Sequence, residues 1–270
     1  MTELLSQATP EMRQSFAWGN KAKNMNVWGL TDRGAVREQN QDAFFKWTDG
    51  KNGAVLVCDG MGGGRAGNVA SALAVQAFSE MMLHGHQAPA KRLTNALAAA
   101  NNRVFQHART ERDCRGMGTT LVGALVEGDI AYIINVGDSR AYYISENGIE
   151  RITRDHSLVE DLIERGHITP QEARNHPNKN VITRALGVDR RLEGDLFSRK
   201  MEPGSMLLLC SDGLSNMLED QEILFEALHG GERDKCCQRL LNLALQRGAT
   251  DNVTAVLLAL DVPEDKKYEE

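Results

Sequence analysis

Residues 53–64 read G-A-V-L-V-C-D-G-M-G-G-G, a short apolar run that ends abruptly in a polar, glycine-rich break. Because the run is short and contains β-branched residues, it predicts a buried strand rather than a helix. After it, apolar residues recur at spacings of three and four from Ala66 to Met82 and again from Leu93 to Phe105. This pattern predicts two consecutive amphipathic helices, so the chain is not a strict β-α-β alternation.

The remaining segments predict strands in the middle of the chain and helices around them. Val27 to Thr31 is an early strand, and the runs 119–126, 130–136, 140–144 and 149–152 predict an antiparallel meander with turns such as Glu146-Asn147-Gly148. A charged segment from Asp155 to about Arg184 has a helical pattern, with a helix start at Thr169-Pro170. Strands at 205–210 and 252–260 enclose two more helices. This order predicts an α+β fold with a central antiparallel β-sandwich flanked by helix pairs.

Composition excludes several classes of protein. The 270 residues are 41% hydrophobic and 25% charged, which is typical of a globular domain. The 31 basic and 37 acidic residues give a formal net charge of −6, which disfavours a nucleic-acid binder. No apolar run approaches the roughly 18 residues of a membrane span. The chain contains five cysteines, an odd number, and no two of them have the C-x-x-C spacing. We therefore expect a reduced, cytoplasmic chain without a disulfide framework or a zinc site.

No linker or repeat divides the chain. We therefore expect an N-terminal arm at 1–24, one domain at 25–261 and a solvated tail at 262–270.

Aspartates follow three of the apolar strands. The strand at 53–58 ends in Asp59-Gly60, the one at 130–136 leads into Asp138, and the one at 205–210 leads into Asp212-Gly213. Asp251 directly precedes the last strand, and Asp42 lies in R-E-Q-N-Q-D. Carboxylates brought together at strand ends repel one another unless a cation pairs with them. A set with only oxygen ligands favours Mg²⁺ or Mn²⁺, and two such ions would form a centre for phosphoryl chemistry.

Each of these residues also has a simpler interpretation. Asp-Gly is a common turn dipeptide, and Asp49-Gly50 is interpreted as a hairpin tip. Arg37, five residues before Asp42, suits bidentate binding of phosphate, but these residues alone favour a surface arginine paired with Glu38.

Seven segments taken together resemble a known family. The chain is similar to the metal-dependent Ser/Thr protein phosphatases, the protein phosphatase 2C or PPM family, in their bacterial form. The resemblance covers residues 27 to 260 and is carried by segments in the family's order, namely T-D-R-G-A-V-R-E-Q-N-Q-D-A-F (31–44), V-C-D-G-M-G-G (57–63), G-M-G-T-T-L (116–121), N-V-G-D-S-R-A-Y (135–142), T-R-D-H-S-L-V (153–159), S-D-G-L-S-N-M (211–217) and D-N-V-T-A-V (251–256).

The resemblance implies a four-layer αββα architecture with two Mn²⁺ or Mg²⁺ ions at one end of the sandwich. Asp59 matches a bridging ligand and Gly60 a ligand through its backbone carbonyl. Asp212 and Asp251 match ligands of one ion. Asp42 matches a carboxylate near the metals, and Arg37 matches the phosphate-binding arginine. Asp138 matches a residue that, with Asp212, holds a third ion in bacterial members.

The implied activity is hydrolysis of phosphoserine and phosphothreonine in proteins by a metal-activated water, without a covalent phosphoenzyme. The segment 155–186 matches the flap beside the site, which is expected to help select substrate. A partner Ser/Thr kinase is an implied substrate, and we expect a monomer that binds neither nucleic acid nor a membrane.

This sequence departs from the family pattern at two positions. Gln41 stands where many members have Glu, and Met61 stands where eukaryotic members have a histidine proposed as general acid. Our hypothesis is that a metal-bound water donates the proton, with His156 and His176 as weaker candidates. Two alternatives remain open at this point. A phosphoprotein-binding pseudophosphatase is disfavoured by the intact aspartates, and a glycoside hydrolase by an aromatic content of only 5%.

Overall fold

The computed structural model describes residues 24–63 and 66–262. Except for Asn24 and Val262, the expected N-terminal arm and C-terminal tail lie outside the described residues. The strands are β1 (Met25–Asp32), β2 (Asp42–Thr48), β3 (Asn52–Met61), β4 (Gly118–Thr119), β5 (Leu121–Glu127), β6 (Ile130–Val136), β7 (Arg140–Ser145), β8 (Gly148–Arg151), β9 (Asp195–Lys200), β10 (Met206–Cys210) and β11 (Val253–Leu260). The helices are α1 (Ala66–His84), α2 (Pro89–Thr110), α3 (Leu158–Glu164), α4 (Pro170–Arg174), α5 (Asp212–Ser215), α6 (Asp220–His229) and α7 (Cys236–Gln246).

The strands form two antiparallel sheets. The first sheet has the order β1-β11-β10-β7-β8, and the second has the order β2-β3-β5-β6-β9 with the short β4 paired to β3. The first and last described strands, β1 and β11, pair along their full length from Met25 with Leu260 to Asp32 with Val253. The two ends of the described chain are therefore joined within one sheet.

Three apolar layers hold the elements together. Helices α1 and α2 cover the outer face of the second sheet, and α6 and α7 cover the outer face of the first. A third cluster, including Val55, Val57, Leu207 and Leu209, fills the space between the sheets. Alternate residues of a strand point to opposite faces, so every residue of β10 is buried, either between the sheets or under the helices. This architecture confirms the predicted four-layer αββα fold.

The predicted meander is wrong at one connection. Strand β6 pairs with β5 and β9, whereas β7 pairs with β8 and β10 in the other sheet. The chain changes sheet at Gly137-Asp138-Ser139, where Gly137 has a φ of +104°. Three residues suffice because the two sheets lie face to face, and sequence periodicity carries no information about which sheet a strand joins.

The charged segment from Asp155 to Arg184 is helical only in part. It contains the short helices α3 and α4, separated by Gly166 at φ +68°. Residues beyond α4 form turns and isolated bridges, since Pro177 cannot continue the helix. Strand β9, which the sequence analysis did not predict, follows this segment and forms an edge of the second sheet.

No helix within residues 24–63 and 66–262 is both long enough and apolar enough to cross a membrane.

Candidate metal centre

Strand pairing places Asp42 directly opposite Asp59. The β2–β3 ladder matches the Cα atoms of the two residues as partners at the end of the hairpin. Asp42 is 8% exposed, and its neighbours on both strands are apolar. Two carboxylates thus face each other at the same end of the second sheet.

The other sheet and the sheet-crossing turn bring three more carboxylates to this position. Asp212 follows β10, Asp251 precedes β11, and Asp138 lies in the turn after β6. Asp59 interacts electrostatically with Asp42, Asp212, Asp138 and Asp251. All five predicted aspartates therefore meet at one end of the sandwich, although they come from four separate parts of the chain.

Burial and mutual repulsion raise the pKa of these groups. For Asp42, Asp59, Asp138 and Asp212 the largest cause is the loss of solvation, and neighbouring carboxylates raise the pKa further. Without a nearby cation, these groups cannot all be ionised at neutral pH. The site consequently favours a bound positive charge.

Arg37 is the basic side chain at the rim of the cluster. Its Nη2 donates to Asp251 Oδ2 at 2.7 Å, while 53% of the side chain remains exposed. The hydrogen bond and the charge of Asp251 raise the pKa of Arg37, with smaller contributions from Asp59 and Asp212. In this structure Arg37 forms its ion pair with Asp251 rather than with Glu38.

A buried asparagine fixes the loop that carries Arg37. Asn252 Nδ2 donates to the carbonyl oxygens of Arg33 and Gln39, at 2.8 and 2.9 Å. Its Oδ1 accepts from the Gln41 amide at 2.8 Å. One side chain on the β11 turn therefore holds both ends of the loop that presents Arg37.

The backbone around Gly60 is closely packed. A Cβ atom at Gly60 would lie 2.1 Å from the carbonyl oxygen of Gly67 in α1 and 2.6 Å from that of Gln41. Only glycine fits there, so the close approach of the β3 backbone to α1 and to the residue before β2 requires glycine at position 60.

Asp49 shows the other use of an Asp-Gly pair. Its Oδ1 accepts from the amides of Lys51 and Asn52, at 2.8 and 2.7 Å, in the β2–β3 turn. These hydrogen bonds lower the pKa of Asp49, in contrast to the raised pKa of Asp59. The interpretation of Asp49-Gly50 as a hairpin tip is confirmed.

The residues present suit a divalent cation. Asp42 Oδ1 and Asp212 Oδ1 are buried without a hydrogen-bond partner, and an orphaned carboxylate oxygen is suited to ligate a cation. Within the described residues, no group of three or more His, Cys, Asp or Glu side chains has an arrangement that could hold a metal ion as it stands. Arg37 pairs with Asp251 in this structure, so the Asp251 carboxylate would have to exchange that ion pair for a cation.

A groove of about 700 Å³ adjoins the cluster. Its lining includes Asp138 and Asp212 of the cluster, residues of α3 and α4 of the flap, and Glu219 and Asp220 at the start of α6. Arg174 of α4 pairs with Glu219, which caps α6, so an ion pair joins the flap to the start of α6.

His156 anchors the flap through partners outside the five-aspartate cluster. The ring is 5% exposed, Nδ1 accepts from the Gly137 amide at 3.2 Å, and Nε2 lies 3.1 Å from Asp195 Oδ2. His176 Nδ1 accepts from the Asn178 amide at 3.1 Å, within its own turn. Both rings are thus engaged in local structure, and a role for either in proton donation stays a prediction.

Several polar residues of the site have no role in the sequence-based prediction. Ser211 and Thr254 are fully buried and bond to Asp42, while Asn40 and Asn252 hold the loop before it. The sequence signal that could have identified Thr254 is a hydroxyl residue in an otherwise apolar strand, V-T-A-V at 253–256.

Comparison with known proteins agrees with this architecture. A family model described as Protein phosphatase 2C matches residues 33–246. The serine/threonine phosphatase stp of Listeria welshimeri is 37% identical over 236 residues, which cover 84% of this chain and 93% of that protein. The crystal structure of Stp1 from Staphylococcus aureus has a TM-score of 0.82 at 36% identity, covering 88% of this chain and 95% of the other.

A third relative was solved with its metals. The catalytic domain of the serine/threonine protein phosphatase PstP in complex with two manganese ions has a TM-score of 0.79 at 35% identity, covering 88% of this chain and 99% of that one. The chain belongs to the protein phosphatase 2C family. Its enzyme class is therefore that of a metal-dependent protein-serine/threonine phosphatase, and the comparisons do not support the pseudophosphatase alternative.

Proposed function

We propose that the five-aspartate cluster is the catalytic centre of this phosphatase. The observation that carries the proposal is the convergence of Asp42, Asp59, Asp138, Asp212 and Asp251 beside the exposed guanidinium of Arg37. The two unpartnered oxygens of Asp42 and Asp212 supply donor atoms for cations.

The proposed ligands divide between two ions and a third. Asp59, the Gly60 carbonyl, Asp212 and Asp251 would supply the ligands of two ions. Asp138 and Asp212, which interact electrostatically, would hold a third ion. Mn²⁺ and Mg²⁺ both suit this set of oxygen ligands.

Two such cations, when bound, stabilise charge on phosphoryl oxygens and lower the pKa of water between them. Arg37 contributes a bidentate donor that orients the phosphoryl group and neutralises its equatorial oxygens. This requires its guanidinium to reorient from Asp251 towards substrate. Met61 has no proton to give, and His156 is engaged with Gly137 and Asp195, so we assign donation of the leaving-group proton to water.

We propose phosphorylated proteins as substrates, including a partner Ser/Thr kinase, and a cytoplasmic monomer as the working form. The groove supports a polypeptide substrate, since its volume of about 700 Å³ is larger than one phosphoserine needs and its lining includes Asp138 and Asp212. Lys179, which also lines it, offers a contact to an acidic residue near the phosphorylated one.

Hydrolysis of p-nitrophenyl phosphate tests the catalytic centre, and Asp59→Asn is the decisive variant. We expect Mn²⁺-dependent turnover in the wild type, abolition by EDTA, and a loss of at least about 100-fold in Asp59→Asn because a bridging charge is removed. Asp49→Asn is the matched control, because it changes a strand-terminal Asp-Gly pair outside the cluster and keeps the oxygen that caps the turn. Equal losses in the two variants, or no wild-type turnover with Mn²⁺, would contradict the proposal.

A further inference from the structure

Three hydroxyl groups lie side by side across the first sheet. Thr31 on β1 is the register partner of Thr254 on β11, and Ser211 follows β10, the next strand of the same sheet. Thr254 and Ser211 are fully buried, whereas Thr31 lies at the exposed edge. We call Thr31, Thr254 and Ser211 the hydroxyl row.

The hydroxyl row meets Asp42 from the opposite sheet. Asp42 Oδ2 accepts from Thr254 Oγ1 at 2.6 Å and from Ser211 Oγ at 2.7 Å. Asp42 belongs to β2 in the second sheet, so these two bonds cross the sandwich at the end that carries the aspartates. The same carboxylate thus receives two donors on one oxygen.

The donor and acceptor of each hydrogen bond in the hydroxyl row follow from the Asp42 carboxylate at its end, which can only accept when it is ionised. Because Thr254 donates to the carboxylate, its oxygen accepts from Thr31 Oγ1, 2.7 Å away. Thr31 in turn accepts from Asn40 Nδ2 at 2.9 Å, and Asn40 Oδ1 accepts from the Asp42 amide at 3.1 Å. Ser211 Oγ accepts from the Thr254 amide at 3.0 Å. The donors therefore all point towards Oδ2, and such aligned bonds strengthen one another.

This arrangement leaves the two oxygens of Asp42 unequal. Oδ2 accepts two strong bonds, whereas Oδ1 is buried with no hydrogen-bond partner among the described residues. The carboxylates of Asp59, Asp212 and Asp251 are the charged groups around it. The two hydrogen bonds on Oδ2 restrain rotation of the carboxylate, so Oδ1 has a preferred direction.

We propose that Thr254 and Ser211 are positioning residues, which hold Asp42 through Oδ2 so that Oδ1 is presented to the cations. The inference rests on the proposed catalytic centre and adds two residues that touch neither metal nor substrate. Their effect reaches the reaction through the orientation of Asp42. A purely structural role would instead limit the hydroxyl row to joining the two sheets.

The test compares Mn²⁺ binding with thermal stability in a graded series of variants. Free Mn²⁺ is measured by its electron paramagnetic resonance signal during titration with the full chain. We expect about 10-fold weaker binding in Thr254→Val and in Ser211→Ala, the size typical of lost outer-shell contacts. Thr31→Val, at the exposed end of the row, should give a smaller loss. Thr254→Ser keeps the hydroxyl and should restore binding to nearly the wild-type value.

Kinetics and a control variant separate positioning from general destabilisation. With p-nitrophenyl phosphate, we expect kcat to fall in Thr254→Val while KM stays near its wild-type value, because Arg37 is untouched. Ser205→Ala is the control, since Ser205 is buried at the opposite end of β10 and its hydroxyl donates to the Glu202 carbonyl, away from Asp42. It should bind Mn²⁺ as the wild type does.

Wild-type Mn²⁺ affinity in folded Thr254→Val and Ser211→Ala, or failure of Thr254→Ser to restore it, would overturn the inference. If Thr254→Val does not fold, Ser211→Ala and Thr31→Val decide the question alone. Turnover is recorded for the wild type in the same experiment. Its absence contradicts the proposed function, whereas wild-type turnover with unchanged affinity in the variants contradicts only the positioning role.

Discussion

A strand-terminal aspartate has two different uses in this chain. Asp49 accepts backbone hydrogen bonds in an exposed turn, and those bonds lower its pKa. Asp59 has the same neighbour in sequence, a glycine, but lies among four other carboxylates, and its pKa is raised. The difference arises from the surroundings that each residue acquires on folding, because the dipeptide itself is the same.

Arg37 gives a prediction at the residue scale. We expect Arg37→Ala to raise KM for p-nitrophenyl phosphate about tenfold with a smaller change in kcat, because a phosphate contact is made in the bound substrate as well as in the transition state. Steady-state kinetics at saturating Mn²⁺ measure the effect. Arg103→Ala is a suitable control, since Arg103 on α2 pairs with Glu80 away from the cluster. An unchanged KM with weaker Mn²⁺ binding would indicate that Arg37 only orders Asp251.

The turns at the metal end are packed directly on backbone atoms. A Cβ atom at Gly34 would lie 2.1 Å from the carbonyl oxygen of Asp251, and one at Gly213 would lie 1.9 Å from that of Asn252. The loop before β2, the turn after β10 and the turn before β11 consequently fit together as one unit. The positions of Arg37, Asp212 and Asp251 depend on that fit.

Substitution of Gly34 tests this packing at the scale of the element. Gly34 has a φ of +78°, so Gly34→Ala adds both backbone strain and a clash with Asp251. We expect the free energy of unfolding in urea to fall by about 3 kcal/mol, with weaker Mn²⁺ binding. In Gly128→Ala the φ of +66° is similar but no atom lies within 4 Å, so a loss of about 1 kcal/mol is expected from strain alone. Equal losses would mean that the close contact is relieved by movement of the loop.

Across the whole molecule, four of the five cysteines are enclosed in the apolar layers. Cys58, Cys210, Cys236 and Cys237 are buried, and only Cys114 is partly exposed. Burial raises the pKa of Cys236 to about 11 and of Cys210 and Cys237 to about 12. Since a thiolate forms only as the pH approaches the pKa, these thiols stay protonated at pH 8.

Thiol modification therefore reports on the integrity of the fold. With an aromatic disulfide reagent at pH 8, we expect one fast-reacting thiol in the native protein and five in denaturant. Turnover should survive modification, because no cysteine lies among the proposed ligands. A second fast thiol in the native state would show that one of the helix layers opens readily.

Much of the fold was predictable because burial leaves a periodic pattern in the sequence. The runs at 54–58 and 206–210 are apolar throughout, which identifies strands covered on both faces, and the spacings from Ala66 to Met82 identify α1. Strand β9 was not predictable in the same way. It is an edge strand with alternating exposure and a charged composition, D-L-F-S-R-K, so it lacks the apolar run of a central strand.

The sequence alone determined the layered fold and which aspartates end the strands, because both follow from local patterns of apolar and polar residues. The tertiary structure decided which groups those aspartates meet. Asp42 bonds to hydroxyls 169 and 212 residues away in the chain. Asp138 lies in the turn at Gly137, where the chain passes from one sheet to the other. Contacts of that separation depend on strand order and on how two sheets face each other. The direction of the Asp42 carboxylate is therefore a property of the packed sandwich, whereas the presence of that carboxylate is a property of the sequence.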